Sequence, residues 1–230
     1  MFFNKMAKKS FYVALFSFCF SAAAFSQAIR TAGDFFKEIS NYYATINTYE
    51  ASMEIAADKT EMKGKVSFKK PDLLRIDFTV PSEQVIVFNG EMLTIYLPDS
   101  DAILQQSIQN NSSSAGSALA TPQGLSLMNR YYTVAYEIGQ DPVPLDAEST
   151  EKVVKLVLSR RNSSESFRTI QLAVNPETKL IRRIEAVTTR GETFIFNFSN
   201  YVLNQDIPDQ RFIYDPPSSA NNYNNFLFSE

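Results

Sequence analysis

Apolar residues recur at three- and four-residue spacing from Ala28 to Ile46, where Ile29, Ala32, Phe35, Phe36, Ile39, Tyr42, Tyr43 and Ile46 form one broad stripe. That period predicts an amphipathic helix packed by a single face. At Thr48 the period changes to two. Tyr49, Ala51, Met53 and Ile55 alternate with Glu50, Ser52 and Glu54, which predicts a half-buried strand to Ala57. Met62 to Phe78 holds two more alternating runs, broken at Pro71, which cannot donate a ladder hydrogen bond and suits a strand end. The first run places Gly64, Val66 and Phe68 on one face, and the second places Leu74, Ile76 and Phe78 there, continued by Val80. Lys70 falls in phase with the first apolar row, so a cation stands where the alternation asks for an apolar side chain.

Farther along, Glu83 to Phe88 and Glu91 to Leu97 are joined by Asn89-Gly90, the signal of a two-residue hairpin turn. Here both rows are apolar, Val85 and Val87 against Ile86 and Phe88, so each face needs a cover. Gln105 to Ala120 is small, polar and without period, which predicts a long loop. A short helix follows: Thr121 can cap it, Pro122 suits its first position, and Leu125, Leu127, Met128, Tyr131 and Tyr132 supply an apolar surface. Such a helix behind a long loop is either a lid or an ordinary connector packed into the core. Strands are predicted again at Val153 to Ser159, Phe167 to Val174, Leu180 to Thr188 and Glu192 to Tyr201, separated by turn clusters. The tail from Ser218 to Glu230 is expected to be loosely ordered, with Phe226, Leu227 and Phe228 able to dock. The fold class is therefore mainly β with helices (α+β): an antiparallel curved sheet or unclosed β-barrel, capped by an N-terminal helix and a short lid helix. Its expected functional asset is a hollow apolar interior.

Composition changes the picture in four ways. Lys5, Lys8 and Lys9 precede the apolar run Phe11 to Phe20 and small residues at Ala22 to Ala24, the pattern of a secretory signal peptide over residues 1–26, cleaved after Ala24 or Ser26. That leaves one expected domain over residues 27–217, followed by the tail, in a mature protein expected to be exported. Cys19 is the only cysteine and is preceded by Phe18, unlike a lipid-anchored leader, so the mature chain is expected to lack thiols and disulfides altogether. The sequence has no histidine. This removes the commonest general base and the commonest zinc ligand together. The formal charge of −3 becomes more acidic when the leader's lysines are lost, which argues against nucleic acid as a partner.

The stretch "FKKPDLLRIDFTVPSEQVIVFNGEMLTIYLP", Phe68 to Pro98, resembles the signature region of the lipoprotein-localisation carrier (LolA) family. The order is strand, basic pair, Pro, strand, Pro, strand, Asn/Asp-Gly and a strand ending in Tyr-x-Pro, and the likeness extends from "YEASMEI" to "FIYDPP". The resemblance implies an unclosed barrel capped by helices. It also implies a periplasmic carrier that takes acylated lipoproteins from an inner-membrane ABC exporter to the outer membrane, with an outer-membrane receptor as an open further partner. It implies that the residue before the proline hydrogen-bonds to the lid in the closed state. The family usually has Arg there; Lys70 keeps the charge but loses the planar fork. On this reading Lys70 is a lid latch, whereas without it Lys70 is a surface lysine whose stem covers apolar area. Val66, Phe68, Leu74, Ile76, Phe78, Val85 and Val87 are the expected acyl-cavity lining. Leu125, Leu127 and Met128 are the expected lid face, and Met53, Met92 and Met128 adaptable liners.

Two other functions stay open: a lipoprotein-sensing regulatory module of envelope stress, which would usually carry a second C-terminal domain, and a carrier of free lipid or glycolipid. A monomer without cofactor or metal is expected. Catalysis is not: Asp99 with Asp101 and Asp206 with Asp209 sit beside turn signals, and Ser67 and Lys69 share a strand face without a constellation around them.

Overall fold

The computed structural model describes residues 29–57, 59–107 and 120–225. The chain divides into Met1–Arg30 and a compact unit from Thr31 onward, which holds the sheet and the two described helices. The signal peptide, most of the long loop and the aromatic end of the tail lie outside the described residues.

The first helix, α1, runs Ala32–Thr45 and starts where Thr31 caps it, its hydroxyl oxygen accepting from the Asp34 N–H at 3.1 Å. Thirteen strands follow in one sheet: β1 (Thr48–Ala57), β2 (Thr60–Lys69), β3 (Leu73–Val80), β4 (Val85–Phe88), β5 (Met92–Leu97), β6 (Ala102–Ser107), β7 (Tyr132–Tyr136), β8 (Val143–Pro144), β9 (Lys152–Arg160), β10 (Phe167–Val174), β11 (Ile181–Thr188), β12 (Thr193–Leu203) and β13 (Asn221–Asn224). A second helix, α2, runs Pro122–Tyr131, capped by Thr121 with its hydroxyl accepting from the Gly124 N–H at 3.1 Å. The strand order is β13-β6-β5-β4-β3-β2-β1-β12-β11-β10-β9-β7, with β8 beside β9. Its two ends do not pair, so the sheet is curved but unclosed, as the alternation predicts.

The period-two pattern recovers β1 and β10 to the residue and most other strands within two or three positions. It misses β6, β7 and β8, and it assigns Gln105 to Ser107 to a loop although they complete β6. In "AILQQS" the apolar run is too short for a period to show, and pairing with β5 decides. The tail departs from expectation too. Residues 221–224 form β13, pairing parallel to β6 by backbone bonds such as Asn221 N–H to Asp101 O at 2.8 Å, although all four side chains are exposed.

Register sorts the side chains onto two faces. Tyr49, Ala51, Met53 and Ile55 of β1 stand opposite Phe68, Val66, Gly64 and Met62 of β2, and the same face continues through Leu74, Ile76 and Phe78 of β3. In the other direction it runs through Phe194, Phe196 and Phe198, then Ile184 and Ala186, Ile170 and Leu172, and Leu156 and Leu158. This concave face holds the core, with Phe36, Ile39 and Tyr43 of α1 fully buried against it. Each large side chain so buried contributes roughly 1.5–3 kcal/mol.

The convex face has a different cover. After β12 the chain crosses back over β1, β2 and β3 as a strap, residues 204–214, tied by polar groups. Thr48 Oγ1 donates to Gln205 O at 2.6 Å, Lys69 Nζ to Ile207 O at 2.7 Å, and Lys69 pairs with Asp209 at 2.6 Å. Arg75 binds Asp77 at 2.8 Å and donates to Arg211 O at 3.1 Å, and Arg211 pairs with Asp77 in turn. Phe212 is thereby buried on this side. Burial alone would raise the Asp77 pKa, but hydrogen bonds and charge from Arg75 and Arg211 outweigh it and hold the carboxyl below the usual carboxylate range.

Two expectations follow. A Cβ at Gly64 would overlap the Asp77 carbonyl oxygen and lie 3.0 Å from Phe78 Cα, at a bulge where β2 and β3 approach closely. Gly64→Ala is therefore expected to cost about 1–3 kcal/mol in urea unfolding, because backbone rather than a side-chain end must yield. Asp77 has a lowered folded pKa, so its contribution is complete above the unfolded value near pH 4 and is lost as pH falls through the folded one. The stability gap between wild type and Asp77→Asn is expected to close on acidification below about pH 4, read from unfolding midpoints.

Candidate functional site

Of the residues the sequence singles out, the structure brings together Val66, Phe68, Leu74, Ile76 and Phe78. All five lie on the concave face in adjacent strands. Four are buried in the core and Ile76 is half-buried. Val85 and Val87 are not with them. Pairing with β3 sets Ile86 opposite Ile76 and Phe88 opposite Leu74, so Ile86 and Phe88 take the concave face. Val85 and Val87 stand opposite Asp77 and Arg75, on the strap side. With both rows of β4 apolar, alternation cannot choose between them; a one-residue change of register exchanges the faces.

On α2, Leu125 and Met128 lie three positions apart and are buried in the core, whereas Leu127 points away and is partly exposed. A helix advances about 100° per residue, so 127 cannot share a face with both 125 and 128. The concave face buries Phe36, Ile39, Tyr43, Leu125 and Met128 where the helices cross it. Its lining continues outward as a half-exposed apolar strip, Met62, Ile76, Ile86, Phe88, Phe194 and Phe196, contiguous with the core. This strip carries no charged side chain. The three alternate phenylalanines of β12 are legible as an aromatic row, and only cross-strand pairing joins them to Met62 and Ile76.

Lys70 does not reach α2. Its ammonium donates to the carbonyl of Ala44, in the last turn of α1, and its backbone N–H donates to Asn47 O at 2.9 Å. The final carbonyls of a helix lack intrahelical donors and carry partial negative charge, and α1 has no basic residue of its own in its last turn. The lysine supplies that cation from the end of the neighbouring strand.

The bond to the short helix comes instead from Tyr49, which the sequence offers only as the first apolar position of β1. Its hydroxyl donates to the carbonyl of Ala120, just before α2, at 3.1 Å, and both residues are buried. The Tyr49 ring stacks on Phe68 with centroids 5.2 Å apart and lies 5.7 Å from Tyr201. Two further phenols meet the backbone of one residue: the Ile181 N–H donates to Tyr43 Oη at 3.0 Å, and Tyr201 Oη donates to Ile181 O at 2.9 Å. Burial pushes the Tyr43 phenol up to about 12, and pushes Tyr49 and Tyr201 far above the usual tyrosine range, so all three stay neutral.

Among the described residues no group of three or more His, Cys, Asp or Glu is placed to hold a metal ion, and no helix is long and apolar enough to cross a membrane. Asp209, one of the paired turn carboxylates, is spent on Lys69 in the strap.

An unclosed sheet, antiparallel except where β13 joins β6, with two helices laid on an apolar concave face and an apolar strip left beside them, defines the structural class. The family model of the outer membrane lipoprotein carrier protein LolA matches residues 54–215, and the chain belongs to that family. An outer-membrane lipoprotein carrier protein of Methylibium petroleiphilum is 27% identical over 210 residues, covering 90% of this chain and 95% of the relative. One from Pseudomonas paraeruginosa is 23% identical over 158 residues, 68% of this chain and 69% of its own. Among solved structures, an uncharacterized conserved protein from Thermus thermophilus shares the fold with a TM-score of 0.53 at 12% identity, over 82% of this chain and 96% of that one.

The placement of Lys70 carries its own expectation. Lys70→Met keeps the stem and removes the charge, and should speed amide hydrogen exchange in the last turn of α1 while leaving α2 unchanged. Equal acceleration in α2 would restore the lid-latch role that the family resemblance implies.

Proposed function

We propose that the protein is a periplasmic carrier that shelters lipoprotein acyl chains against its concave face, receiving them from an inner-membrane ABC exporter and releasing them at the outer membrane. The supporting observation is the apolar strip of Met62, Ile76, Ile86, Phe88, Phe194 and Phe196, continuous with a core that α2 covers. Membership in a family named for lipoprotein carriage supports the same reading. On it, the leader over residues 1–26 directs export, residues 27–217 form the carrier domain, and the carrier acts as a monomer without catalysing a reaction. Val66, Phe68, Leu74, Ile76 and Phe78 supply the lining; Ile86 and Phe88 replace Val85 and Val87 in it.

The energetics suit exchange rather than storage. Each methylene removed from water is worth about 0.8 kcal/mol, so several full acyl chains amount to tens of kcal/mol. No carrier releases that into water. Transfer between a membrane and an apolar protein face involves only the difference between two apolar environments. Loading then requires that α2 leave part of the concave face. What opposes this is the burial of Leu125 and Met128 and the bond from Tyr49 to Ala120. Acyl chains that take over the apolar contacts offset the first of these.

The test is native mass spectrometry of the mature protein with a triacylated lipoprotein added in detergent, followed by detergent removal. A one-to-one complex is expected for wild type. It should be lost in the variant Ile76→Asp with Phe196→Asp, whose sheet signal in circular dichroism must be retained for the comparison. Retention of phospholipid or glycolipid in place of lipoprotein would overturn the reading.

A further inference from the structure

Tyr49 differs from its neighbouring phenols in one respect. Tyr43 accepts from the Ile181 N–H and Tyr201 donates to the Ile181 carbonyl, both within β11 of the sheet itself. Tyr136 and Tyr132 likewise donate to Thr31 O at 3.3 Å and Phe167 O at 3.1 Å. Tyr49 alone among these depends on the chain leading into α2, through the Ala120 carbonyl. Its ring is 1% exposed and held between Phe68 and Tyr201, so the hydroxyl cannot swing out to water when that carbonyl leaves. A buried donor left without an acceptor costs roughly 1–3 kcal/mol. Whatever displaces α2 has to bring an acceptor or bear that cost.

We infer that the Tyr49 hydroxyl is a carbonyl-binding subsite of the concave face, exchanging the Ala120 carbonyl for an ester or amide carbonyl at the polar junction of a bound acylated ligand. The inference rests on the carrier reading above and adds to it where the ligand's polar junction lies. The placement follows from how polarity is distributed along the face. At the Tyr49 end stand the phenol and, just past the end of β2, the Lys70 ammonium at the end of α1. Toward the other end of β1 the same face presents Met53, Ile55, Met62, Phe194 and Phe196, with the uncharged Thr60 at its rim. An amphiphile matches this gradient with its carbonyls at Tyr49 and its hydrocarbon along the strip. A carbonyl is also an acceptor without a donor, which suits a site whose single free partner would be an O–H. The same hydroxyl thus holds the short helix when the face is empty and rewards carbonyl-bearing ligands when it is occupied.

The decisive comparison uses two synthetic ligands: a cysteine lipopeptide with two ester-linked palmitoyl chains on glycerol, and its dialkyl ether analogue, which lacks those carbonyls. Equimolar mixtures are offered to wild type and to Tyr49→Phe, and the two complexes, which differ in mass, are counted by native mass spectrometry after detergent removal. Wild type is expected to prefer the ester about five- to tenfold, the size of one net hydrogen bond. Tyr49→Phe should take both equally. Loosening of α2 by the substitution acts on both ligands alike and cancels in the ratio. Equal binding of ester and ether by wild type, or an ester preference that survives in Tyr49→Phe, would overturn the subsite while leaving the carrier reading intact. Binding of neither ligand by wild type would overturn both.

Discussion

One face of this sheet is apolar from β3 through β12 to β9, and water has to be kept from it. The sheet does not close on itself, so it cannot hide that face as a barrel does, and the burden falls on α1 and α2. The position of nearly every other feature follows. The helix stripe of Phe35, Phe36, Ile39 and Tyr43 is spent there, and so are Leu125 and Met128. What the two helices leave uncovered is the strip of Met62, Ile76, Ile86, Phe88, Phe194 and Phe196.

The covers on the two faces are fastened by different means. The strap on the convex side is bound by charged side chains, Lys69 to Asp209 and Arg75 and Arg211 to Asp77, and by carbonyls accepting from Thr48, Lys69 and Arg75. Removing it would strand several partly buried charges, which is costly. The chain into α2 is fastened to the sheet by apolar contact and by the neutral bond from Tyr49 to Ala120. Apolar contact is non-directional and can be replaced by any other hydrocarbon of similar bulk. The convex cover thus depends on particular charged partners, whereas the cover that α2 provides depends mainly on apolar bulk.

Much of this can be read along the chain because a strand's side chains alternate strictly. Tyr49 to Ile55, Val66 to Phe68 and Leu74 to Phe78 announce both strand and face, and the family signature from Phe68 to Pro98 overlaps that clear stretch. The pattern is silent where both rows are apolar, as in Val85 to Phe88, and the expected lining of Val85 and Val87 takes the wrong row. It fails again where a strand is too short or too polar to show a period, as in β6 and in β13, whose Asn-rich residues pair only because the edge of β6 lies open to them.

Fold class, family and the apolar character of one face follow from local periodicity and residue type, and the chain read in order is enough for them. The partners are not fixed in that way. That Lys70 caps α1 rather than binding α2, and that Tyr49 meets Ala120 across 71 positions of chain, emerges only once the segments are packed together. A hydrogen bond forms between groups a few ångströms apart whatever their separation in sequence. Periodicity can say which way a side chain faces, but what it meets there depends on how distant segments are brought together.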